Sequence, residues 1–360
     1  MIMRIKKALF LGTLCTAVSG MSLFAQADVS YAKSAEKTTE AASSEEAESE
    51  EETSEEVTYP ITIEHAFGET VIESKPERIA TVGWGNQDTP LALGIAPVGV
   101  SAANYGLVTD HKLHLWTDEA FADLGVEEPV VFDDVDGLDF EQISDCNPDV
   151  ILAAYSGMTQ EDYDTLSQIA PVIPYKENPW QTTWREQTIE NAEGMGMKPE
   201  GEKKVKEVED LIAEKLEEYP ELEGIPTAFC WISADDFSTF YVYLPTDPRA
   251  AYLLDLGFTL PESVQKLAGE SNDFSITVSR ENADQLDDIE MMVVYGDENL
   301  VETLQEDKLM SQIPAIKNGA VVVLDSTSAL AASSTPSILS IPYEIDEYLE
   351  MFAKAAENIK

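Results

Sequence analysis

The chain has 360 residues and carries 69 acidic against 22 basic side chains, a formal charge of −47. Such a field repels phosphate backbones and anionic headgroups, which excludes nucleic acid and docking on a membrane through a basic patch. A hydrophobic share of 44% supports a sizeable core, and the length fits about two domains of ~150 residues each.

Residues 1–27 read as an export signal. MIMRIKK is a basic start, ALFLGTLCTAVSGMSLF is an apolar to small-residue run, and Ala25-Gln26-Ala27 is an A-x-A cleavage site. Cleavage is expected before Asp28. Cys15 offers a lipid anchor as the alternative, although Leu14 stands where a lipobox wants a small residue. No later stretch reaches the ~18 uninterrupted apolar residues of a membrane span. The mature protein is expected to be extracytoplasmic. Residues 28–58 are Glu-, Ser- and Thr-rich without hydrophobic period, which predicts a disordered acidic linker reaching at least ~30 Å.

The folded body starts at Tyr59. ITIEHAFGETVI alternates and turns at Phe67-Gly68-Glu69, an edge hairpin. A strand over 78–82, a helix through Leu93 and a strand around Val98-Gly99-Val100 follow, and DVILAAY and PVIPY repeat the alternation. Strands alternating with helices imply a parallel sheet covered on both faces, so residues 59–195 form a first α/β lobe. In KPEGEKKVKEVEDLIAEKLEEYP, Val205, Val208, Leu211 and Ile212 recur at helical spacing. Residues 196–221 are therefore expected to hold one helix of ~20 residues, ~30 Å long. TAFCWIS, FYVYL, EMMVVYG and AVVVLD then read as strands, with helices over 249–256 and 299–304, giving a second lobe over 222–341. Residues 342–360 close the chain as an amphipathic helix with Ile345, Leu349 and Phe352 on one side. The expected fold class is α/β, two mixed lobes joined by a single long helix with a cleft between them.

Catalytic motifs are few. Gly83-Trp84-Gly85 follows a strand, but Asp88 replaces the third glycine of a dinucleotide fingerprint. There is no G-x-S-x-G elbow and no P-loop lysine motif. His111 and His114 are three apart, as metal ligands are, yet no third ligand accompanies them and a surface loop is the simpler reading. No metal or cofactor is expected. His65 is expected to be structural, and the paired acids (Asp133-Asp134, Asp235-Asp236, Asp287-Asp288) to be solvated turns. Cys146 and Cys230 fall in different lobes and are expected as two thiols, an interlobe disulfide being the alternative. The aromatics carry more. Trp84, Tyr105 and Tyr155 lie at or beyond the carboxyl ends of first-lobe strands, where α/β sheets bind ligands. Trp231, Tyr241 and Tyr243 lie along early strands of the second, with core packing the expectation for Trp231 and both roles open for Tyr155.

PERIATVGWGNQDTPLALGIAPVGVSA, GLDFEQISDCNPDVILAAYSG and YDTLSQIAPVIPY, in that order, resemble the first lobe of ABC-importer solute-binding proteins for iron-siderophores, cobalamin and haem. PWQTTWREQ, the long helix, YLLDLGF, FSITVSRENADQLDDIEMMVVYG and IPAIKNGAVVVLD continue the likeness from Tyr59 to Ala356. The resemblance implies binding without catalysis, limited lobe movement and a monomeric body that docks on a membrane permease. It implies one exposed glutamate per lobe for permease arginines, mapping onto Glu161 and Glu281, with Gln160 as the alternative register in the first lobe. The ligand residues expected are Trp84, Tyr105, Tyr155, Trp180, Arg185, Tyr241, Tyr243 and Arg249. The cleft is poor in cations, Arg185 and Arg249 being the main ones, with Asp235 and Asp236 on the cleft side. A ferric siderophore of neutral or weakly charged hydroxamate type therefore fits better than an anionic catecholate. Haem or cobalamin remains the alternative within the family. An exported α/β enzyme with acidic acid and base groups is the rival class, and no motif builds its site.

Overall fold

The computed structural model describes residues 57–134, 137–233, 236–297 and 299–360. The leader, Cys15, nearly all of the acidic linker and Asp235 lie outside the described residues.

An antiparallel hairpin, β1 (Ile61–His65) and β2 (Gly68–Ile72), opens the body. Then come β3 (Ile79–Thr81), β4 (Gly99–Ser101), β5 (Val131–Phe132), β6 (Val150–Ala153) and β7 (Val172–Pro174). They form one parallel sheet in the order β5-β4-β3-β6-β7. Every residue of β3, β4, β6 and β7 is buried, as an apolar run covered on both faces must be. The chain leaves β3 toward one edge and returns to β6 on the other side, so the topological switch point lies between β3 and β6.

The helix Lys198–Leu216 leads onward, with Pro199 in its first turn and Val205, Val208 and Ile212 buried. Gly201 sits where a Cβ would stand 2.5 Å from Ala192 Cβ, which lets this helix lie tightly on Trp184–Gly194. The second lobe holds β8 (Thr227–Trp231), β9 (Thr239–Tyr243), β10 (Ser275–Ser279), β11 (Met291–Tyr295) and β12 (Val321–Leu324), in the order β10-β9-β8-β11-β12. This second sheet is mixed, in line with the mixed lobes expected. β8, β11 and β12 are parallel, but β9 pairs antiparallel with β8 and with β10. Among the described residues no helix separates β8 from β9, and β9 lies antiparallel beside β8.

A second contact ties the lobes besides the long helix. After β12 the chain runs back against the first lobe: Leu107 N–H donates to Ser328 O at 3.1 Å, and a Cβ on Gly106 would lie 2.6 Å from Ala332 Cβ. Deeper in, the buried Asp88 carboxylate accepts Trp116 Nε1–H at 2.9 Å, Thr117 Oγ1–H at 2.8 Å and the hydroxyl of Ser337. Burial raises the Asp88 pKa to about 6, against the pull of its donors. The helix Ser340–Ala356 then packs beside Lys198–Leu216, where Lys215 meets Asp346 at 2.6 Å.

Cys146 and Cys230 are both free. His65 is buried and bonds Thr70 Oγ1 at 2.9 Å. His111 pairs with Asp118 at 2.7 Å while His114 Nε2 sits 3.1 Å from Tyr105 O, and no metal-ligand cluster occurs among the described residues. His114, in extended backbone, ends the loop as the N-cap residue of the helix Leu115–Asp123.

Asp88→Ala strips the acceptor from a buried indole N–H and two hydroxyls in different segments. A loss of about 2–4 kcal/mol of stability is expected, measured from urea unfolding midpoints. A loss below about 0.5 kcal/mol, the range of a neutral surface change, would show that the donors find other partners.

Candidate functional site

The site begins at the switch point. Gly83 adopts φ 84°, and a Cβ there would lie 2.7 Å from Tyr155 O, so only glycine lets the β3 loop close on the β6 end. Trp84 N–H then donates to Tyr155 O at 3.2 Å. Asn86, fully buried, completes the join: its Nδ2 donates to Val82 O and Tyr155 O, and its Oδ1 accepts from Tyr155 N–H, Gln187 and Asn191. Two loops and one helix are thereby fixed around Trp84 and Tyr155.

Trp180 enters from the loop after β7. Its φ is 62°, unusual for a bulky residue, and its N–H donates to Ser156 O at 3.1 Å. The indole lies over Gly157, where an added Cβ would meet it at 2.5 Å. Rings then run without a break from lobe to lobe. Tyr155–Trp180 centroids are 5.3 Å apart, Trp180–Trp84 5.8 Å, Trp84–Tyr105 6.4 Å and Tyr105–Tyr295 5.6 Å. Tyr295 continues to Phe229 at 5.3 Å and Phe229 to Tyr243 at 5.7 Å.

Arg249 closes the group, its guanidinium 3.8 Å from the Tyr243 ring centroid. Asp247, 0% exposed, grips it through Nε at 2.8 Å and Nη2 at 2.6 Å and also accepts the Arg249 N–H that starts the helix Pro248–Asp255. Burial alone would lower the Arg249 pKa; the carboxylate outweighs it and holds the pKa above its ordinary value. Burial also raises the phenols of Tyr155, Tyr105 and Tyr243, and pushes Tyr295 up to about 12. Near neutral pH the group thus holds four protonated phenols, that of Tyr295 already donating to Ser334 Oγ at 2.7 Å, and a charge-balanced guanidinium. Such donors hold oxygen-rich ligands between apolar walls and supply no base.

Six of the expected ligand residues therefore come together: Trp84, Tyr105, Tyr155, Trp180, Tyr243 and Arg249. Tyr241 faces Trp231 at 5.6 Å on the same sheet face, one pair further along β9 from Tyr243, and both are 41% exposed. Trp231 is thus a surface residue and not the core residue expected. Arg185 is elsewhere. It bridges Glu209 and Asp255, each at 2.6 Å, and its guanidinium lies 4.4 Å from the Trp184 ring centroid. Tyr295 and Phe229 were not anticipated. EMMVVYG ends a strand in tyrosine and glycine just as the Tyr155 strand ends in an aromatic, and that signal could have found Tyr295. Asp236 accepts Ser238 N–H in an exposed turn.

Glu161 and Glu281 are both exposed, each at the second residue of its helical segment, Gln160–Leu166 and Arg280–Gln285. One oxygen of neighbouring Asp162 makes the cap, its Oδ2 accepting Thr159 N–H at 2.9 Å and Oγ1–H at 2.7 Å. The pair at 161–162 thus has two separate roles, cap and exposed charge.

The sequence matches the family described as periplasmic binding protein over residues 79–327. Among solved structures, PiaA of Streptococcus pneumoniae TIGR4 in complex with ferrichrome is similar at 47% identity and TM-score 0.80, covering 83% of this chain and all of that one. SirA of Staphylococcus aureus, complexed with staphyloferrin B, shares the fold at 23% identity and TM-score 0.60, over 83% of this chain and 99% of that one. Among curated proteins, the petrobactin-binding protein YclQ of Bacillus subtilis (strain 168) is 25% identical over 306 residues, 81% of this chain and 88% of its own length. The switch-point cleft thus sits in a chain that belongs to the periplasmic binding protein family, extracytoplasmic solute-binding proteins of ABC importers that hold their cargo without transforming it.

Proposed function

We propose that the protein captures a ferric siderophore of the hydroxamate type and delivers it to an ABC permease. The observation that carries this is the charge balance of the cleft. The Arg249 guanidinium is already matched by buried Asp247, so a multiply anionic iron complex would find no free counter-charge in that pair. A neutral complex needs only oxygen-directed donors and apolar walls, which Tyr105, Tyr155, Tyr295, Arg249, Trp84 and Trp180 supply. The ferrichrome held by the 47% identical relative supports the same class. Affinities near ~0.1–1 μM correspond to roughly −8 to −10 kcal/mol, within reach of several aromatic contacts and a few hydrogen bonds. Haem and cobalamin are outcomes of the same test.

Tryptophan quenching is the direct measurement, since Trp84 and Trp180 line the cleft. Ferrichrome and ferrioxamine should quench saturably, and a ferric catecholate, haem and cobalamin should not. Arg249→Ala should weaken binding about 10- to 100-fold, the cost of stranding buried Asp247 as well as losing a donor. Quenching by the catecholate alone would overturn the assignment.

Delivery rests on Glu161 and Glu281, whose exposed carboxylates suit bidentate arginines on a partner and contribute little to the free protein. Glu161→Ala with Glu281→Ala should leave the dissociation constant within about twofold, near the noise of a surface change, while abolishing cellular uptake of the labelled complex. Lost binding, or undiminished uptake, would remove the docking role.

The acidic spacer 28–58 suits a body held near the outer face of the membrane, with a lipid on Cys15 as the alternative to cleavage at the A-x-A site. A chain beginning at Asp28 and free of labelled palmitate should be recovered. Palmitate entering the wild type and not Cys15→Ala would show the lipid anchor instead.

A further inference from the structure

Beside the tyrosine group, the first lobe opens a recess of ≈ 230 Å³ whose lining includes Trp84, Ser101, Asp134, Met158, Asp162 and Trp180. It is continuous with the cleft: Gly83, Trp84, Ser101, Ala102 and Asn104 also line the hollow that reaches Tyr105 and, from the other side, Ala332. It is roomier than the hollows of ≈ 30 Å³ that reach Tyr105 and Tyr155, and an aminoalkyl arm fits it.

Its chemistry is one-signed. Two indoles cross at 63° with centroids 5.8 Å apart, an aromatic corner of the kind that attracts cations. Asp134 is half-buried there and accepts the hydroxyl of Ser101. Burial raises its pKa, and no cation faces it among the described residues, whereas adjacent Asp133 has Lys112 at 3.4 Å. Asp162 adds a second carboxylate, partly used by Thr159. No lysine or arginine lines the recess among the described residues. Arg249 lies in the other lobe, matched by Asp247.

We propose that this recess receives a protonated amine arm of the cargo, so that the cleft prefers ferric hydroxamates bearing a cationic arm over neutral or anionic ones with the same iron core. The inference rests on the siderophore reading above and adds to it the charge of the arm. Asp134 supplies the counter-charge, Trp84 and Trp180 the walls, and the charge of −47 over the whole chain attracts such a ligand at long range.

The test keeps the iron centre constant and varies the arm: ferrioxamine B with its free ammonium, its N-acetyl form and its N-succinyl form, titrated by tryptophan quenching on the unmodified protein. The ammonium form should bind about tenfold more tightly than the acetyl form and more tightly still than the succinyl form, a gap that narrows between low and high salt. In Asp134→Asn that preference should vanish while the acetyl form stays within about twofold. Equal affinities for the three arms, or an equal loss for all three in Asp134→Asn, would overturn the proposal. Ferrichrome binding with none of the linear complexes bound would defeat the arm and leave the siderophore reading standing. No binding of any of them would defeat both.

Discussion

The buried amide of Asn86 is the constraint around which the first lobe's half of the site is built. One side chain ties the loops leaving β3 and β6 to each other and to the helix Trp184–Gly194. At a switch point the two central strands diverge in their connections, and the backbone bond from Trp84 N–H to Tyr155 O is joined there by the amide. The amide holds the two exits with both its donor and its acceptor, in a place where an unmatched polar atom would be costly. Trp84 and Tyr155 take their positions from it, and Trp180 takes its own from the Ser156 carbonyl next door.

The second lobe contributes charge, and contributes it already neutralised. Asp247 lies where it can cap a helix and clamp Arg249 at the same time, so the guanidinium presents direction and hydrogen-bond donors more than net charge. In a chain with 69 acidic residues this is a selective arrangement. It admits oxygen ligands without demanding that they be anions, and the surrounding field works against those that are.

Much of this was legible in the residues. The parallel first sheet, the long helix and the strand-end aromatics follow from period and position, because those patterns are set by local burial. The antiparallel β9 and β10 were not legible as such: FYVYL reads as a strand in either direction, and only the shortness of the link from TAFCWIS decides it. Arg185 looked like a cleft cation, but its charge is consumed by Glu209 and Asp255, one on the long helix 24 positions on and one ending a second-lobe helix. Such pairing is a tertiary fact. Trp231 misled for a related cause, since hydrophobicity gives the residue's preference while its place at the end of β8 leaves it open to solvent. Asp134 reads in sequence as a solvated turn acid, and nothing in its neighbours there announces the indoles that line the same recess.

Trp180 has one further consequence. Its backbone sits in a sparsely populated conformation and its indole is confined over Gly157, so the ring has little rotational freedom left to surrender. The ordering cost of that wall falls within folding, and a ligand meets a surface that is already stiff. A related protein with different cargo would then differ less in its aromatic walls than at the position of Asp134, where one substitution changes the sign of the recess and disturbs no ring. Cargo range in this architecture would evolve by electrostatics at constant shape.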